Sequence, residues 1–188
     1  MTLPNHLGGH NNKTHLDHGA IKWLMNEFQP KSFLDIGCGP GGMVELASKL
    51  GLNSLGIDGD FEIPRSHKNK FILHDYTKGK VKLNQNFDIG WSVEFVEHVD
   101  EQYAHNYIDT MQHCKYLIIT YAPPGWPGHH HVNCQPEEYW IDILAMHGLV
   151  YNKKRTTELR DKSTMNFPKK PKKAFVKNRG LFFENVKK

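Results

Sequence analysis

The residues with the most chemical reach in this chain lie in Ser92-Val93-Glu94-Phe95-Val96-Glu97-His98-Val99 and, further on, in His129-His130-His131. If a helical turn carries the first stretch, the i, i+3, i+4 spacing puts Glu94, Glu97 and His98 on one face. Two carboxylates and an imidazole make a mixed oxygen and nitrogen donor set for a divalent cation such as Mg²⁺, Mn²⁺ or Zn²⁺. The later histidines offer a fourth ligand. Without a metal the same groups read as acid–base machinery, His98 as general base with Glu94 beside it. The sequence leaves both chemistries open.

Such groups need a scaffold, and Phe33-Leu34-Asp35-Ile36-Gly37-Cys38-Gly39-Pro40-Gly41-Gly42 supplies its centre. An apolar run ends in a glycine-rich turn, and Met43-Val44-Glu45-Leu46-Ala47 continues as a helix. Glycines there let the backbone turn tightly and approach a ligand. The stretch also fits the Gly-x-Gly-x-x-Gly dinucleotide pattern. Asp35 argues against a pyrophosphate, because its carboxylate would face the anion, and Pro40 removes one N–H from the cradle. A ligand with a cationic amino group suits the loop better, and S-adenosylmethionine (SAM) is such a ligand. Asp58 ends the next apolar segment, about 20 residues past the turn, where α/β folds grip ribose hydroxyls. Asp60 reads as a loop residue.

Helix and strand patterns alternate along the chain. Helices are expected at His15–Phe28 (capped by Asp17 or Thr14), from the glycine turn to about Leu50, and at Glu101–His113 and Glu137–His147. Strands are expected at Ser32–Ile36, Leu52–Ile57, within Phe71–Tyr76 (a strand followed by an acid-aromatic turn), and at Phe87–Val93, Lys115–Tyr121, Leu149–Tyr151 and Leu181–Val186. Alternation of this kind implies a parallel sheet covered on both faces. Residues 1–14 read as a flexible lead-in and 161–180 as a basic insertion in a single domain. His15 and His18 face either the pocket or solvent.

The glycine segment closely resembles motif I of the class I SAM-dependent methyltransferases. The resemblance implies a Rossmann-like α/β fold with a mostly parallel seven-stranded sheet. It also implies cofactor contacts: Gly37, Gly39 and Gly41 along the methionine part, Asp35 behind the amino group, Asp58 on the ribose and Asp75 on the adenine, with Ser92 added. The Glu94-x-x-Glu97-His98 stretch further resembles two metal-dependent O-methyltransferase groups, those of small-RNA 3′ ends and of ubiquinone biosynthesis. In that comparison His131 best matches the later histidine, with His129 the fallback. The expected reaction is methyl transfer to a hydroxyl of a small molecule, sugar or nucleotide, a nucleic acid being the less favoured acceptor.

Composition bounds these readings. With 38% hydrophobic and 23% charged residues the chain reads as globular. It has no apolar run of about 20 residues to cross a bilayer. A polar N-terminus and three scattered cysteines lead to the expectation of a cytoplasmic protein with reduced thiols. Residues 1–152 hold 11 Lys and Arg against 17 Asp and Glu, net −6, and residues 153–188 hold 13 against 3, net +10. The basic end therefore keeps a second reading alive, a SAM- or RNA-binding module without catalysis. A nicotinamide-dependent oxidoreductase comes third, disfavoured by Asp35 and Pro40.

Overall fold

The computed structural model describes residues 2–65, 67–165 and 173–188. Strands β1 (Ser32–Ile36), β2 (Asn53–Asp58), β3 (Phe71–Leu73), β4 (Phe87–Ser92), β5 (Cys114–Ile119), β6 (Leu149–Tyr151) and β7 (Leu181–Asn185) form one sheet in the order β3-β2-β1-β4-β5-β7-β6. The first five pair in parallel, and β7 enters antiparallel between β5 and β6. Strand order reverses between β1 and β4. In open sheets that switch point leaves a crevice beyond the carboxyl ends of the strands.

Among the described residues six α-helices cover the sheet: α1 (His18–Phe28), α2 (Gly42–Lys49), α3 (Ala104–Met111), α4 (Glu137–Met146), α5 (Lys153–Lys162) and α6 (Phe175–Arg179). On one face Leu34, Ile36, Leu117 and Phe183 pack with Tyr107, Ile108, Trp140 and Leu144 from α3 and α4. On the other, Phe33, Trp91, Ile118 and Phe182 meet Leu24, Met43, Leu159 and Val176 from α1, α2, α5 and α6. Neighbouring strand residues thus feed opposite cores, as period-2 geometry requires. No helix among the described residues is long and apolar enough to cross a membrane.

Two segments differ from the sequence reading. The span 161–180 is not a continuous polar insertion: α5 runs to Lys162, and Phe175 and Val176 on α6 are buried against the sheet. Its high average charge masked a short amphipathic turn. Residues 166–172, which include most of the Lys169–Lys173 run, lie outside the described residues. The helix expected from His15 starts at His18, because Asp17 supplies the cap by accepting from the Ala20 N–H at 2.9 Å.

Asp17 is also a tertiary tie. Its buried carboxylate accepts from the Thr164 N–H at 2.9 Å and from the Ser163 hydroxyl, joining α1 to the end of α5. Asp17→Ala removes the cap and strands buried donors, a cost of about 3 kcal/mol or more. At that size Tm is expected to fall by roughly 6–12 °C. Differential scanning calorimetry of the variant checks this.

Candidate active site

Five loops leave the carboxyl edge of the parallel strands, and all of them border one cleft of about 720 Å³. The loop after β1 carries Gly37 with φ +76°, where a Cβ would come within 2.2 Å of the Phe95 ring. Only glycine fits that close approach. Gly37 and Cys38 both donate to the Ile57 carbonyl, which fastens the loop to β2. Gly41 has φ +86° as the cap of α2, and a Cβ there would meet Phe71 at 2.3 Å. It shapes the turn and does not itself line the cleft. Gly37, Cys38, Gly39 and Pro40 do line it.

Asp35 ends at the cleft floor, almost fully buried and without an ion-pair partner among the described residues. Burial first, then the Asp58 charge, pushes its carboxyl well above the usual range. An acid that holds its proton more tightly when folded loses stability as pH rises past its unfolded value near 4, until the folded value is reached. Asp35→Asn is therefore expected to raise the melting temperature of the ligand-free protein at neutral pH and to flatten its pH dependence. Thermal melts between pH 4 and 9 test both statements.

Asp58 organises the neighbouring loop. One oxygen accepts from the Gly39 N–H at 2.8 Å; the other accepts from the Asp60 N–H at 2.8 Å and from Arg65 Nη2 at 3.2 Å. Arg65 donates through Nε and Nη2 to the Gly39 carbonyl and through Nη1 to the Asp60 carbonyl. It is the lone arginine of the first 152 residues, and nothing in a linear motif singled it out. Asp60 is buried and accepts from His10 Nε2 at 3.0 Å.

Asp75 stands at the far end of the cleft. Its Oδ1 caps the turn Tyr76–Lys78 by accepting from the Thr77 N–H, and its Oδ2 pairs with His6 Nε2 at 2.9 Å. Burial works against ionisation here, but hydrogen bonds from His6 and Thr77 outweigh it and hold the carboxyl below its usual value. The N-terminal segment thus lies over the cleft: His6 on Asp75, His10 on Asp60, the Asn5 carbonyl on His129 Nε2 and Thr14 Oγ1 on the Gly42 N–H. Tyr76 turns away, donating its hydroxyl to Thr110 in the core.

Beyond β4 the chain departs from a helix. Glu94 has φ +56°, a strained value for a residue with a side chain, and only Val96–His98 forms a tight 3₁₀ turn. Glu94, Glu97 and His98 therefore converge through a kink rather than along one helical face. One donor atom each from Glu97, His98 and His131 lies within 4.8 Å of the others. The backbone makes this possible, since the Glu97 carbonyl accepts from the N–H groups of Val132 and Asn133 and pulls the histidine loop inward.

The protonation pattern of this cluster follows from its contacts. His98 Nδ1 sits 2.8 Å from the His129 carbonyl, and His131 Nδ1 sits 3.0 Å from the Trp126 carbonyl. A carbonyl only accepts, so both Nδ1 atoms carry the hydrogen, and Nε2 is the atom left over on each ring to act as a donor to a cation. Burial, then His131, pushes His98 down to about 4 and keeps it neutral. Burial pushes Glu97 up to about 7, and both its carboxylate oxygens are buried with no hydrogen-bond partner among the described residues. Burial and the Glu97 charge push Glu94 up as well, against the pull of Arg179, whose Nη2 is 3.7 Å away.

Arg179 was hidden inside the supposed insertion. It is buried, donates from Nε to the Tyr121 carbonyl at 2.8 Å and stacks its guanidinium 4.5 Å from the Trp126 ring centre. It thereby ties α6 to the loop that holds His131. Ser92, fully buried, donates to the Ile36 carbonyl at 3.1 Å and bridges β4 to β1; it does not line the cleft. Of the aromatics near the site, Trp126 borders the cleft; Trp140 belongs to the core, and Tyr139 donates to Glu101.

Comparison with known proteins agrees with this geometry. Residues 34–112 match the family described as a methyltransferase domain. The ubiquinone biosynthesis O-methyltransferase of Dinoroseobacter shibae is 33% identical over 88 residues, which span 43% of this chain and 36% of that protein. Among solved structures, the PH0226 protein of Pyrococcus horikoshii OT3 superposes with a TM-score of 0.59 at 14% identity, covering 89% of this chain and 88% of that one. Magnesium protoporphyrin IX methyltransferase of Synechocystis PCC 6803, solved with SAH bound, gives 0.55 at 16% identity, over 87% and 78% of the two chains. The central segment thus matches a methyltransferase domain, and the chain shares its fold with solved structures that include a methyltransferase.

Proposed function

We propose that the protein transfers a methyl group from SAM to a hydroxyl oxygen, with a divalent cation held beside the acceptor. SAM supplies a methyl made electrophilic by its sulfonium. Asp35 at the cleft floor faces the ammonium of its methionine part, Gly37 and Gly39 carry the backbone along it, Asp58 takes the ribose hydroxyls and Asp75 the adenine amino group. For these last two, His6 and Arg65 must yield some of the carboxylate they now hold.

The observation that carries the metal reading is Glu97. A carboxylate with both oxygens buried and unpartnered, next to two imidazoles whose Nδ1 hydrogens are committed to carbonyls, is a donor set waiting for a cation. Glu97, His98 and His131, with Glu94 next to Glu97, would hold it. A bound cation there lowers the pKa of the acceptor hydroxyl. The chain's own part is to orient that hydroxyl and to exclude water, which Trp126 and the N-terminal segment do by covering the cleft. A metal-free mechanism would rest on His98 Nε2 as general base, and an imidazole held near 4 is a weak base at neutral pH.

The test is methyl transfer from labelled SAM to hydroxyl-bearing acceptors, in chelator and after adding back Mg²⁺, Mn²⁺ or Zn²⁺. Turnover that returns only with metal supports the reading. Turnover indifferent to chelator moves catalysis to His98.

A further inference from the structure

Asp35, Asp58 and Asp75 line the cleft, and Lys13, Lys173 and Phe175, grouped about His15, line one mouth of it. That mouth adjoins the Glu94–Glu97 cluster. The Phe175 ring meets His15 edge-on at 5.1 Å and lies 5.9 Å from the Arg179 guanidinium, which in turn rests on Trp126 and faces Glu94.

Lys13 and Lys173 reach this mouth from opposite ends of the chain. Neither ammonium has a carboxylate at ion-pair distance among the described residues, and together with burial they push His15 toward its neutral form. Lys154, Arg155 and Arg160 are matched by Glu158, Glu27 and Glu137, and the other described lysines lie off the cleft, so Lys13 and Lys173 are the described lysines that line it. Two like charges brought together without a counter-charge repel each other, and an anion seated between them removes that cost.

We propose that the acceptor is a small anionic molecule whose charged group, a phosphate or a carboxylate, is held by Lys13 and Lys173 while its hydroxyl lies against the Glu94, Glu97, His98 and His131 cluster. The proposal rests on the methyltransferase reading above and specifies its substrate. Phe175 and Trp126 both line the cleft, each against the Arg179 guanidinium. A polyanion such as RNA finds less here, because the first 152 residues carry a net charge of −6 and only two of the described lysines line the cleft.

The experiment titrates the SAM-saturated protein with phenyl phosphate, benzoate and phenol, three probes sharing one ring. The expected result is that phenyl phosphate or benzoate binds about 10-fold or more tightly than phenol, a ratio of the size that charge-assisted contacts give. Whichever anion leads identifies the charged group. In Lys13→Gln/Lys173→Gln the preference falls to within about twofold, whereas Lys13→Arg/Lys173→Arg keeps it and SAM affinity stays unchanged in both. The proposal is overturned by equal binding of all three probes, by a preference that survives the double glutamine variant, or by a short single-stranded RNA that displaces phenyl phosphate regardless of the two lysines. Failure of SAM itself to bind would overturn the underlying methyltransferase reading instead.

Discussion

Glu97→Gln is expected to lower the cation-dependent methyl-transfer rate by about 100-fold or more while leaving SAM binding intact. The size follows from losing one anionic ligand of a cation asked to contribute several kcal/mol to the barrier, each ~1.4 kcal/mol being tenfold in rate. Loss of activity through misfolding has the opposite signature. Burial holds the Glu97 carboxyl at about 7, so its ionisation opposes folding, and stability declines as pH rises from its ordinary value through that point. The amide has no such titration. The variant should therefore melt at or above the wild-type temperature above pH 7 while its turnover collapses. Steady-state kinetics with Mn²⁺, paired with thermal melts at pH 6 and 8, separate the two. An active Glu97→Gln enzyme would return His98 to the role of general base.

Asp58→Ala carries the second large effect, a loss of SAM affinity of roughly 10–100-fold, as expected for removing hydrogen bonds to a charged acceptor worth about 1.5–3 kcal/mol. Two losses combine. The ribose hydroxyls lose their acceptor, and the glycine loop loses its anchor, because the Gly39 and Asp60 N–H groups and Arg65 all converge on this carboxylate. Asp58→Asn should fall between wild type and alanine, since one carbonyl oxygen cannot serve both N–H groups. Calorimetric titration with SAM gives all three affinities, and an unchanged value for Asp58→Ala would displace the ribose from this position.

Much of the scaffold could be read from the chain because local signals agree there. Ser32–Ile36 is an apolar run between a proline and a glycine turn, and it forms the central strand with those bounds. Leu149–Tyr151 and the strand from Leu181 are flanked by glycines that mark their starts. The cluster of Glu97, His98 and His131 was approachable for a different reason, since those residue types are costly to group without a use. The particular kink at Glu94 was not, because a positive φ at a glutamate has no sequence signature.

The misses share one physical cause. Arg65, Arg179 and His6 act through partners far away in sequence: Arg65 on Gly39, Arg179 on Tyr121 and Trp126, His6 on Asp75. No period or motif encodes a side chain whose role is set by what the fold brings to it. The Ser92 hydroxyl likewise has a partner that no motif shows, the Ile36 carbonyl of the neighbouring strand. The lead-in at 1–14 has the glycines and asparagines of a flexible segment, but its histidines find carboxylates on the cleft rim.

The central claim is that this cleft binds SAM, and calorimetric titration of the metal-stripped protein with SAM tests it most directly. The account predicts saturable one-to-one binding in the micromolar range, on the order of −8 kcal/mol. That binding should weaken in Asp58→Ala and persist in Glu97→Gln. No heat of binding from SAM, in a wild-type protein shown to be folded, would contradict it.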